Sequence, residues 1–343
     1  MTPRKQAAPA APPRSRRARI FLALLAPILL LGAGYAALLW WTSGQMRLAL
    51  DNWAAQRRAQ GWVVEHGPAT WVPDPRGAVL RLPGLRLAQG GTAWQAEDVR
   101  LTVAPWAPDR LRLQAGGAQS LALGGPAMPL RTATLQGELL LNGTAPPRSG
   151  QVALAAAVLD TPAGPLALDS GQLSFDSTAR PGATAVEARL HGLGLPLDTP
   201  LGRRVEDTTL DAVLHGALDG NGTPAAQATR WRDAGGRLEV QGLTLRWGPT
   251  AASAAATLAL DAALQPSGAG TLRIANPSAT LDALGAAGTI PARSLAMARR
   301  FLPLMTRLDP AGGSPVIELP VTLEDRALTV ARLPVLRVEA VEW

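Results

Sequence analysis

Cysteine is absent from all 343 residues, so no disulfide framework, thiolate nucleophile or thiolate metal site can form. Histidine is scarce as well. His66, His191 and His215 stand alone, with no second His or Cys at ligand spacing, and read as structural or surface residues. Lys5 is the single lysine, and no G-x-x-x-x-G-K-[ST] loop occurs. Neither a G-x-S-x-G elbow nor a dinucleotide G-x-G-x-x-G after a strand is present. The adjacent acids Glu97-Asp98, Glu206-Asp207 and Glu324-Asp325 lie in strand-like or turn sequence, where chain neighbours point to opposite faces and cannot share a proton. No enzyme, cofactor or metal is expected on these grounds. A hydrolase assembled from residues distant in sequence is the third reading, behind two kinds of binding protein.

Aromatic residues make up 4% of the chain, and ten of them are Trp against three Phe and one Tyr. They are scattered singly without interleaved basic clusters, which suits core packing or strand edges better than nucleic-acid stacking. The net charge of +7 is also misleading until it is located. Arg4, Lys5, Arg14, Arg16, Arg17 and Arg19 supply six of the 33 basic side chains, which leaves 27 to face 26 acids from residue 20 onward. A near-neutral remainder gives no basic face for counterion release, so no nucleic acid is expected.

What is abundant is apolar sequence of two kinds. The first is IFLALLAPILLLGAGYAALLWW, the 22 uncharged residues from Ile20 to Trp41. As a helix they reach about 33 Å, against a hydrocarbon core of about 30 Å. This reads as a transmembrane anchor, with Trp40 and Trp41 at the outer headgroup level and Arg14, Arg16, Arg17 and Arg19 holding the other end in the cytoplasm. A signal peptide cut near Gly34-Tyr35-Ala36 is the competing reading. The expected placement is single-pass in an inner membrane, N-terminus cytoplasmic and the bulk of the chain periplasmic. Residues 1–19 are expected to be a disordered tail. Residues 42–61 are expected to form a juxtamembrane amphipathic helix, with Ser43 as N-cap, Met46, Leu50, Trp53 and Ala54 as its stripe, and Gly61 closing it.

From Trp62 the hydrophobic period falls to two. Val79–Leu82, Leu85–Leu87, Val99–Val103, Leu111–Leu113, Val186–Leu190, Leu210–Leu214, Leu243–Trp247, Leu258–Leu260 and Leu272–Ile274 alternate apolar with polar residues. Turn signals separate them, among them Pro83-Gly84, Gly90-Gly91, Gly116-Gly117, Gly124-Gly125, Asn142-Gly143, Gly220-Asn221-Gly222 and Gly235-Gly236. Late in the chain Asn276-Pro277 opens one short helix, and residues 291–308 suit a second that Pro303 kinks or shortens. Strands then return at Val316–Leu323, Ala327–Val330 and Val335–Trp343, the last as a closing edge or lid. The fold class is therefore mainly β: an elongated antiparallel sheet, either curled into a groove or closed as a sandwich, spanning residues 62–343. An echo between Leu166-Ala167-Leu168-Asp169 and Leu258-Ala259-Leu260-Asp261 suggests two related layers, about 76–180 and 181–343.

Several stretches resemble the bacterial family DUF2125. They are Trp53 to Trp62, Trp94-Gln95-Ala96 leading to Ala104-Pro105-Trp106, and Trp247-Gly248-Pro249 with Leu258-Ala259-Leu260-Asp261 and Leu264-Gln265-Pro266-Ser267-Gly268. From Trp71 to Gly77 the chain departs from the family's Gly-Phe-Pro turn. The resemblance implies a cell-envelope protein of unassigned activity. The architecture is also similar to tethered β-groove proteins of the AsmA type, which implies lipid handling by analogy. The function expected is binding of a lipid or another amphiphile along an apolar groove, with pairing to an envelope protein through a sheet edge as the alternative.

Overall fold

The computed structural model describes residues 16–142, 145–217, 222–289, 291–307 and 314–343, with backbone alone for residues 16–28, 145–146 and 179. Residues 1–15 of the expected tail, Arg14 among them, and the Asn221 turn lie outside the described residues, whereas the backbone of residues 16–19, expected in the same tail, is helical. The side chains of Arg16, Arg17, Arg19 and Ile20 lie outside the described residues as well.

Helix α1 is a single rod, Arg16–Ala59, of 44 residues. It contains both the apolar run and the expected juxtamembrane helix, with no break between them. Ser43 is consequently not an N-cap: it sits mid-helix, 3% exposed, and its hydroxyl donates to the Trp40 carbonyl at 2.7 Å. At the other end Gly61, at φ +85°, terminates the helix as expected. Its N–H donates to the Arg58 carbonyl and that of Trp62 to the Arg57 carbonyl, both at 3.0 Å, the pairing of a Schellman stop.

Strands follow: β1 (Val63–Glu65), β2 (Thr70–Val72), β3 (Ala78–Gln89), β4 (Thr92–Ala104), β5 (Ala107–Leu123), β6 (Met128–Arg131), β7 (Thr134–Asn142), β8 (Ala145–Thr161), β9 (Gly164–Arg180), β10 (Ala183–Gly194) and β11 (Arg204–His215). After helix α2 (Pro224–Asp233) come β12 (Arg237–Trp247), β13 (Thr250–Leu260) and β14 (Pro266–Ala275). Helices α3 (Pro277–Ala286) and α4 (Ala292–Met305) precede β15 (Val316–Glu324), β16 (Ala327–Val330) and β17 (Leu333–Arg337). All 17 strands belong to one sheet. From β3 onward it is an antiparallel meander in which each strand pairs with the next, except that β6 and β7 both pair with β5 and with β8. Strands β1 and β2 share the outer edge of β3.

The alternating pattern becomes a continuous ladder across this sheet. Leu82, Val99, Ala115, Leu135, Leu154, Gly171, Leu190, Thr208, Leu245, Ala252, Ile274 and Ile317 each pair directly with the next. One residue along each strand the row reads Arg81, Arg100, Gln114, Gln136, Ala153, Gln172, Arg189, Thr209, Thr244, Ser253, Arg273 and Glu318. Directly opposed residues share a face, so the sheet has one dry and one wet side throughout.

Helix α1 covers one part of the dry side. Leu50 and Met46 pack on Leu80, Leu82, Leu85, Ala96, Val99 and Leu101, and Ala54 is buried as well. Trp53, which the sequence placed on the same stripe, is 38% exposed. The packing begins earlier than the expected boundary at residue 41. Leu39 is buried, and the Tyr35 hydroxyl donates to the Pro75 carbonyl at 2.8 Å.

Several glycine pairs read as turns do other work. Pro83-Gly84 runs straight through β3, with Pro83 opposite Asp98 and Leu85 opposite Ala96. Gly116-Gly117 forms a bulge in β5, where Gly117 sits at φ +72° and the Glu97 carboxylate accepts the Ala118 N–H at 2.9 Å. Gly235-Gly236 caps α2, the helix that the sequence reading missed, with the Gly236 N–H donating to the Trp231 carbonyl at 2.8 Å. The missed signal is Thr223-Pro224. Thr223 is the N-cap, its hydroxyl accepting the Ala226 N–H at 3.3 Å, and Pro224 opens the first turn. Thr223→Ala is expected to cost about 1 kcal/mol, read as a shift of the urea midpoint at constant slope. Asn276 also departs from expectation: it stands at the N-cap of α3 in a left-handed conformation, φ 50°, without a side-chain capping bond. Helix α4 keeps Pro303 inside its last turn. The expected final strand ends at Arg337 instead of reaching Trp343.

Candidate apolar binding site

A cavity of about 470 Å³ lies where the end of α1, helix α2, strands β11 to β14 and the C-terminal segment meet. That is within the range of about 300–1,000 Å³ usual for small-molecule sites. Its floor is a cross-strand row, Leu214 opposite Leu238 and Leu238 opposite Leu258, continued by Leu260 and Pro266. Trp62, Trp231 and Trp343 form its walls, and Arg57, Gln60, Gln89 and Gln227 are its polar groups. No acid lines it.

Two of the three indoles, Trp231 and Trp343, are held by their own polar handles. Trp231 Nε1 donates to the His215 carbonyl at 2.8 Å, and the ring lies so close to Gly236 that a Cβ there would stand 2.3 Å from it. Trp343 Nε1 donates to the Leu264 carbonyl at 2.8 Å. Gln265 clamps the same segment, accepting from the Val341 N–H at 2.8 Å and donating to the Val341 carbonyl at 3.2 Å. With the N–H groups satisfied, the ring faces are free to meet apolar matter.

The lining also reveals how the sheet is shaped. Gln89 is at the end of β3 farthest from Ala78, whereas Leu258 lies at the ladder end corresponding to Ala78. Opposite ladder ends can meet around one cavity only if the sheet coils through about half a turn. Nine strand-to-strand steps separate β3 from β13, and about 20–25° of twist per step gives roughly 180–225°.

Between the region under α1 and this cavity the dry face lies open. Val152 is 41%, Leu173 51% and Leu243 38% exposed, although each sits in an apolar cross-strand row. Twelve strands at about 4.8 Å give that face a run of roughly 50 Å.

The wet face carries ion pairs. His191 Nδ1 meets Asp207 at 2.7 Å and Arg246 reaches the same carboxylate at 2.6 Å. The His191 hydrogen bond, with the Arg246 charge, holds the Asp207 carboxyl below its usual range. His215 pairs with Glu239 at 3.1 Å, and Asp98 pairs with Arg81 and Arg100. These are cross-strand or near-neighbour partners on a solvated surface. A second depression, about 360 Å³, is lined by Arg110, Glu138, Asp176 and Glu187 among others, and there Glu138 is already engaged by Arg110 and Arg112. No group of three His, Asp or Glu able to hold a metal occurs among the described residues.

Of the residues assigned to the anchor, Trp40 and Trp41 lie on α1, 68% and 59% exposed, and Ile20 lies on its backbone-only part. Among the described residues no helix is long and apolar enough to cross a membrane, and residues 20–28 of the apolar run are outside the side chains described.

No curated protein and no solved structure matches the chain. One family model does match, over residues 40–339, and it is described as an uncharacterized protein conserved in bacteria. The chain belongs to that family, DUF2125.

Proposed function

We propose that this protein holds a lipid or another amphiphile against the dry face of its coiled sheet, tethered to an inner membrane by the apolar half of α1 with the β domain on the periplasmic side. The observation that carries the reading is the exposed middle of the apolar ladder, opening at one end into an acid-free cavity. Apolar area of this extent does not stay in water unless something transient covers it. An acyl chain fits the demand, each buried CH₂ contributing about 0.8 kcal/mol. Beyond the strands that α1 covers, the nine remaining ladder strands span roughly 38 Å, more than twice the ~15 Å occupied by one leaflet's chains. Arg57 and three glutamines at the cavity suit a neutral or anionic head group.

The alternative is a scaffold that pairs through a sheet edge. Strand β17 favours it, since Leu333, Val335 and Leu336 are 69%, 59% and 51% exposed. Yet β17 is only five residues long and carries Pro334, which removes a ladder donor and blunts the edge.

Trp62 and Trp343 make the lipid reading testable in the full-length chain. Titration with a dibrominated phospholipid should quench tryptophan emission where the unbrominated lipid does not, and Trp62→Phe with Trp343→Phe should remove much of that quenching. If the double variant is quenched as much as the parent, the lipid is not held against Trp62 and Trp343, and the cavity as drawn is not the site.

A further inference from the structure

We infer that α4 is a second membrane contact, an amphipathic helix that lies in the surface of an anionic phospholipid bilayer. The inference does not depend on whether the groove holds a ligand. Helix α4 has no buried residue along its 14 positions. Met297, Phe301, Leu304 and Met305 are 55%, 58%, 80% and 53% exposed. At about 100° per residue they fall within an arc of roughly 100°, so they form one apolar face. The opposite side is where α4 meets α3. Leu295 presses on Gly285, where a Cβ would stand 2.5 Å from it, and Arg299 donates to Asp282 at 2.6 Å.

Charge selects the occupant. Arg293 and Arg300 fall at one border of the apolar arc, and α4 contains no acidic residue. Apolar side chains bordered by guanidiniums match acyl chains bordered by phosphates, the pattern of helices lying in the interface. The coil of the sheet supports the same orientation. Helix α4 is inserted between β14 and β15, at the ladder end corresponding to Gln89. Half a turn of coil brings that end to the side where Tyr35 bonds Pro75, from which the apolar half of α1 projects.

A chain without cysteine allows single-site labelling, so Leu304→Cys and, on the wet face, Gln172→Cys can each carry an environment-sensitive fluorophore. The full-length protein would be reconstituted into vesicles of phosphatidylethanolamine and phosphatidylglycerol, with and without a phospholipid brominated in its acyl chain. Leu304 is four-fifths exposed, so its replacement should leave the fold intact. The label at 304 is expected to be quenched severalfold more than the label at 172. Arg293→Gln with Arg300→Gln should lower the docked-to-undocked ratio roughly 25-fold, at about fivefold per guanidinium. Equal quenching at 304 and 172 would overturn the inference. So would a blue shift at 304 that grows with protein density and is indifferent to brominated lipid, which would assign the face to a second copy of the chain.

Discussion

Leu82→Ala is expected to lower unfolding free energy by about 2–5 kcal/mol, the usual cost of a large-to-small change at a fully buried position. Leu82 is 1% exposed and belongs to the cluster in which Leu50 of α1 meets Val99 and Leu101. The cavity left behind cannot collapse easily, because strands on both sides and the helix above are fixed by their own bonds. Leu336→Ala, on β17 and 51% exposed, should stay within about 0.5 kcal/mol. Urea unfolding followed through Trp94, which packs on the cluster, separates the two. Similar losses at both positions would mean that the α1–β3–β4 cluster is not where stability resides.

The second large effect concerns binding. Leu154 and Leu190 approach each other over Gly171, where a Cβ would stand 3.5 Å and 3.3 Å from them. Both are half-buried in the open middle of the ladder. Leu154→Glu with Leu190→Glu is expected to fold, since each carboxylate can reach solvent while the groove is empty. Amphiphile affinity should fall by about 100-fold or more, because covering even one carboxylate with an acyl chain costs several kcal/mol. The brominated-lipid titration reads this directly. Unchanged affinity in a folded double variant would remove the ladder from the site.

Much of this fold was legible because its logic is local. Alternation marked the strand centres, from Val79–Leu82 to Leu272–Ile274, and the Gly90-Gly91 hairpin followed from the need for two positive φ angles, 56° and 80°. Two of the misreadings share a cause: a glycine pair announces positive φ without saying what uses it. Gly116-Gly117 serves a bulge and Gly235-Gly236 a helix stop, and the latter hid α2 behind an apparent hairpin. Ser43 failed as a cap because nothing in the sequence interrupts α1; its hydroxyl simply bonds back one turn.

The site was less legible than the fold. Trp62, Trp231 and Trp343 are isolated in sequence and meet only because the sheet reverses direction over nine strand-to-strand steps. That coil is a sum of small steric twists, invisible in any one strand. The helix of residues 291–308 was legible but the exposed face of α4 was not, since only its packing on α3 shows which side remains open.

Adjacent residues on opposite faces provide the most direct test of the central claim. Leu173 lies on the dry face, 51% exposed, and Gln172 beside it lies on the wet row. A photo-reactive benzophenone amino acid placed at either position in the full-length protein, followed by irradiation of intact cells and mass spectrometry of the purified chain, samples both faces under identical conditions. The account predicts an adduct of phospholipid mass at 173 and none at 172. Equal adducts at both positions, or none at 173, would contradict it.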